Sequence, residues 1–198
     1  MILWTIHKEE VYQILMSEGV FRCDSTKIRD PVYLKDAYSW LASRMAAKIG
    51  EPPPGVQFPV WAFYQWEGER KKPDLRRERW GNGWKGDRYV CMEIDVPDEE
   101  VVLTDFDLWI SVMGGHLISY TEKEDEELEK EYEALPDQEK KAFMEKNWDR
   151  IFDVTPLDNG WVLRGDSIQA TFWELKKEYL KKVRFFTSAL EKPDYLKD

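Results

Sequence analysis

Residues 88–96 read RYVCMEIDV, and their alternation limits the fold more than any other feature. Val90, Met92, Ile94 and Val96 point one way along an extended chain; Tyr89, Cys91, Glu93 and Asp95 point the other. A period of two gathers the first set only on a strand. The strand needs partners, and its apolar side needs a layer of helices or a second sheet above it.

Further extended segments are predicted along the chain. They are ILWTI at residues 2–6, the aromatic run FPVWAFYQW at 58–66, VVLTD at 101–105 and IQATFWEL at 168–175. A last strand follows a lysine-rich turn and closes on VRFFT. Helical spacing appears between them. HKEEVYQILMSEG and PVYLKDAYSWLASRMAAKIG each carry apolar residues three and four apart and stop at glycine. EPPPG is a rigid extended connection, because proline lacks the helical N–H and fixes φ. Residues 121–152 read as an acidic helical hairpin broken near Pro136. It holds ten Asp or Glu between Glu122 and Glu139, and its leading reading is a solvated face.

MEIDVPDEEVVLTDF and TFWELKKEYLKKVRFF share a plan: a strand, one polar helical turn containing Glu, then a strand. The expectation is a single α+β domain over residues 1–198. Its small sheet is largely antiparallel and possibly split, with N-terminal helices and a helical insertion at about 121–152. The expected core is Leu3, Ile6, Val11, Ile14, Leu15, Leu41, Met45, Val60, Val90, Met92, Ile94, Val102, Phe172 and Val183.

The formal net charge of −10 argues against coating duplex DNA, which needs a basic face. Two cysteines and two histidines lack C-x-x-C or H-x-x-x-H spacing, so no metal is expected. Cys91, inside an apolar strand, reads as a buried free thiol. MILWTIHKEE lacks a basic leader and cleavage site, and no apolar run approaches ~20 residues. A cytoplasmic protein without membrane contact is expected.

One local anomaly opposes the global charge. Arg70, Lys71, Lys72, Arg76, Arg77 and Arg79 fall within ten residues, interleaved with Trp66, Trp80 and Trp84. Arginine with aromatics suits phosphates and a stacked base. The bland alternative is a solvated loop neutralised by Glu67, Glu69, Asp74 and Glu78.

The opening, ILWTIHKEEVYQILMSEG, resembles the start of ADP-ribosyltransferase-like folds and RNA 2′-phosphotransferases. That resemblance implies a His or Arg on the first strand facing NAD and a glutamate on a C-terminal strand. Here Trp4 and Thr5 occupy the first neighbourhood and His7 comes slightly late. Thr171 stands where the glutamate is expected, and Glu174 lies three residues on. Along nearly its whole length the chain also resembles a bacterial family known as a domain of unknown function. That likeness rests on LWTI, PPPGVQFPVWAFYQW, KKPDLR, DFDLW and IQATFWELKKEYLKKVRFF. It implies no activity.

Three functional readings follow. The first is a nucleotide- or NAD-handling protein. Trp4, Gln65, Arg76, Arg77, Gln169 and Thr171 would line its cleft, and Glu174 would act as the catalytic carboxylate. The second is a non-catalytic binder of single-stranded nucleic acid through the basic aromatic loop. The third is a protein-interaction or inhibitor module acting through the acidic hairpin.

Overall fold

The computed structural model describes residues 1–24, 34–75, 83–189 and 191. Strand β1 (Ile2–Lys8) leads into helix α1 (Glu9–Glu18) and a short β2 (Val20–Phe21). Helix α2 (Lys35–Ile49) precedes strands β3 (Val60–Gln65), β4 (Arg88–Asp95) and β5 (Val102–Asp105). Helices α3 (Phe106–Met113), α4 (Glu122–Ala134) and α5 (Asp137–Trp148) follow. The chain ends with β6 (Leu157–Asp158), β7 (Leu163–Arg164), β8 (Ile168–Phe172), β9 (Leu175–Lys176) and β10 (Leu180–Thr187). The fold is α+β.

Six strands form one sheet in the order β10-β4-β1-β3-β8-β5, and every neighbouring pair is antiparallel. The sheet is nearly split. β1 and β4 pair over seven residues, whereas β1 and β3 share only the Trp4–Phe63 position. Beyond it, side chains bond carbonyls of β3 and of the residue before it. Thr5 Oγ1 donates to Trp61 O at 2.7 Å, and Cys23 Sγ donates to Pro59 O at 3.1 Å.

Both faces of the sheet are covered, by different means. On one face Leu3, Val60, Ala62, Val90, Met92, Ile94, Ala170 and Phe172 pack against Leu15 of α1 and against Leu175 and Tyr179. On the other, Trp61 and Val102 meet Trp40, Leu41 and Met45 of α2, Leu108 and Trp109 of α3, and Trp148 with Ile151. Rings meet edge-on there, Trp40 on Trp148 at 5.5 Å and Tyr38 on Trp109 at 5.4 Å. Ile6, Val11, Ile14 and Val183 are only half-buried, not fully interior as expected.

Helix ends follow local chemistry. Gly19 takes φ 80° and returns its N–H to Leu15 O, which stops α1. Asp105 caps α3 by accepting from Leu108 N at 2.9 Å. Thr121 caps α4, and Glu124 reaches back to accept from Tyr120 N. The two halves of the acidic hairpin differ. Helix α4 buries no residue, while α5 delivers Asn147 and Trp148 to the core. Asn147 clamps Ile118 through both its backbone N–H and its C=O.

Candidate ligand-binding site

The antiparallel register lines up side chains across the second face in two rows. One runs Lys182, Glu93, Trp4, Phe63, Gln169, Thr104; the next is interrupted between β1 and β3, with Arg184, Cys91 and Ile6 on one side of the gap and Trp61, Thr171 and Val102 on the other. Each row passes from a basic exposed edge at β10, through aromatics, to a buried edge at β5.

Of the residues expected to line one cleft, Arg76 and Arg77 lie outside the described residues. The others do not converge. Trp4 donates its indole N–H to Glu93 Oε2 at 3.2 Å and lies under Arg70. Gln65 clamps the turn before β8, donating to Gly165 O at 2.7 Å and to Asp166 O at 3.2 Å. Gln169 shares a row with Trp4, but Phe63 stands between them and packs on Trp66 and Phe106. Gln169 is buried, and its Oε1, like the neighbouring Oγ1 of Thr104, has no hydrogen-bond partner among the described residues. Thr171 is fully buried between Trp61 and Val102 and donates to Val102 O. Glu174 lies beyond the end of β8, where Arg22 Nε donates to it at 2.6 Å.

The basic run divides. Arg70 is committed locally: it stacks 3.6 Å from the Tyr64 ring centroid and donates to Ile2 O at 2.9 Å. Lys71 pairs with Glu69. Lys72 instead lines a groove of about 740 Å³ beside β10, together with Lys71, Trp66, Arg184, Phe185 and Phe186. Neither Lys72 nor Arg184 forms an ion pair among the described residues. Both stand near the Cys91 thiol, where burial pushes the pKa up to about 11 against the pull of these two cations. Phe186 stacks on Tyr89 with ring centroids 5.7 Å apart. Glu67 and Asp74 bring negative charge to the same groove.

A family model described as Domain of unknown function (DUF3841) matches residues 2–181. The chain belongs to that family. No curated protein matches it.

In this DUF3841 chain Lys72 stands out in the sequence as part of the basic run, whereas Arg184 and Phe186 lie outside it. Their signal was the alternation in LKKVRFFT, which sets Lys182, Arg184 and Phe186 on the face opposite Val183 and Phe185. A second cavity of about 490 Å³ opens where β1 and β3 splay apart, walled by Val11, Ile14, Phe21, Tyr38, Phe58 and Trp61. His7 Nε2 meets Thr5 Oγ1 at 2.8 Å, and the His7 ring packs on Phe21 of the cavity wall. Burial holds His7 at about 4 and raises Cys23 to about 11, so both groups are neutral at pH 7. No group of three or more His, Cys, Asp or Glu suited to a metal occurs among the described residues. No described helix is long and apolar enough to cross a membrane.

Proposed function

We propose that the chain binds a phosphate-bearing nucleotide ligand in the groove beside β10. The observation that carries this reading is the pair Lys72 and Arg184. They face one groove without an anionic partner among the described residues, with the rings of Trp66 and Phe186 beside them. A guanidinium and an ammonium would hold phosphate oxygens, and a ring would take a base. An ADP-ribosyltransferase-like use of NAD is the specific form suggested by the strand–helix opening. The glutamate which that form would use is not brought here: Thr171 is buried and Glu174 pairs with Arg22 beyond the end of β8, so the proposal is one of binding.

A single-stranded nucleic acid is the second reading. It is favoured by the exposed Lys182 and Arg184 with the half-buried Phe186, which share one face along the edge strand. Titration with ATP, NAD and a short oligothymidylate, followed by tryptophan fluorescence, tests both readings. Binding of ATP or NAD equal to that of the oligomer supports a nucleotide site. Oligomer binding alone, with a log–log salt slope of about −2 for three neutralised phosphates, supports the second reading. Absence of all three below millimolar at low salt contradicts the proposal. NAD consumption in the same samples reads out transferase chemistry.

A further inference from the structure

Trp161 stands at the tip of the β6–β7 hairpin and is 47% exposed, and the neighbouring Leu163 is 46% exposed. Helix α3 runs beside β7 and carries Ile110, 50% exposed. Isolated apolar side chains on a surface are ordinary. What sets Trp161 apart is how firmly it is fixed. Its backbone N–H and that of Val162 both donate to Asn159 Oδ1, at 3.1 and 3.0 Å. Gly160 supplies the positive φ, 80°, that the turn requires. The Trp161 indole N–H donates to Ser119 Oγ at 3.1 Å, and that hydroxyl donates to Asp125 Oδ1 at 2.6 Å.

The platform beneath is equally rigid. Asn159 Nδ2 donates to Tyr120 O, and the Tyr120 ring lies between the guanidinium groups of Arg150 and Arg164, at 4.7 and 4.8 Å. A large aromatic surface held still in water has already lost the freedom that binding would otherwise remove, which is how interface anchors are built.

The surroundings are acidic. Asp125 ties Trp161 to the first turn of α4, which carries eight carboxylates against two lysines. Both lysines are engaged by neighbouring glutamates, and the helix buries no residue. Asp158 adds an exposed carboxylate on the hairpin itself.

We propose that Trp161 and Leu163 form a protein-docking surface for a cationic polypeptide segment. Apolar side chains of that segment would cover the indole, and its Lys or Arg would reach the carboxylates of α4. Self-pairing of this face would oppose two acidic helices in a chain of net charge −10, which like-charge repulsion disfavours.

The test uses the full chain and two synthetic amphipathic peptides, one of Lys and Leu and one of Glu and Leu, titrated by fluorescence anisotropy. The Lys/Leu peptide should bind and the Glu/Leu peptide should not. Trp161→Ala and Leu163→Ser should each weaken binding by about tenfold or more, as expected for interface anchors. Trp161→Phe, which keeps a ring and loses the N–H, should retain part of the affinity. Thermal melts of all three variants should stay close to the parent.

No binding of the Lys/Leu peptide overturns the proposal. So does unchanged binding by Trp161→Ala, since α4 then attracts cations without the anchor. A sedimentation experiment showing a dimer of the chain that Trp161→Ala dissociates also overturns it, in favour of a second copy. None of these outcomes involves Lys72 or Arg184, so the nucleotide proposal stands or falls separately.

Discussion

The two edge strands of the main sheet are managed in opposite ways. At β5, Val102, Thr104 and Asp105 are buried, and helices α2 and α3 lie over them. Asp105 is fully buried and accepts from Leu108 N and from Gly165 N. At β10, Lys181, Lys182, Arg184 and Phe185 are exposed. Charge along an edge blocks pairing with another chain. Here Arg184 forms no ion pair among the described residues and borders a groove. The buried edge packs into the core, whereas the exposed edge is where the proposed ligand would bind.

That contrast breaks first at the buried end. Trp148→Ala removes an indole packed on Trp40 and should cost about 3–5 kcal/mol in urea unfolding. A loss near zero would show that α5 is only an appended insertion. The middle of the sheet comes next. His7 is held at about 4, below its ordinary value near 6.5, so the unfolded chain binds the proton more readily in between. Stability should be complete above about pH 6.5 and fall as pH drops through 4, by up to about 3 kcal/mol. His7→Gln should flatten that acid limb; an unchanged limb would assign it to other groups. The smallest effect belongs to the exposed edge. Phe185→Ser, which loses an edge-on contact with Tyr12, should cost at most about 1 kcal/mol.

The same contrast explains what the sequence reveals. Strands β1, β3, β4 and β8 are legible because alternation and β-branched or aromatic residues coincide. The core residues Leu3, Met92 and Phe172 follow from parity, and the burial of Cys91 on the opposite face follows from its place in an apolar strand. Val183 has that parity without full burial, and Ile6 lies on the opposite face beside Cys91. Ile6 faces the part of the sheet between the helices and the basic groove, and Val183 sits on the edge strand.

Gln169 and Thr171 misled for the opposite reason. A period of two separates faces but does not say that both faces of β8 are covered, and all five of its residues are buried. Glu174 follows the end of β8 and meets Arg22, a pairing across 152 positions that no local pattern announces. The site at β10 was half legible. Its lysines cluster in sequence, but Arg184 joins Lys72 only through the fold.

The central claim, that unpaired cations at the exposed edge bind phosphate, is tested most directly by one comparison. The parent chain and the double variant Lys72→Ala, Arg184→Ala are titrated with oligothymidylate and with ATP at low salt, alongside their melting curves. The account predicts at least about a tenfold loss of affinity with an unchanged melting temperature, since neither side chain forms an ion pair among the described residues. Equal affinity in the two proteins would contradict it and move the phosphate site away from this groove.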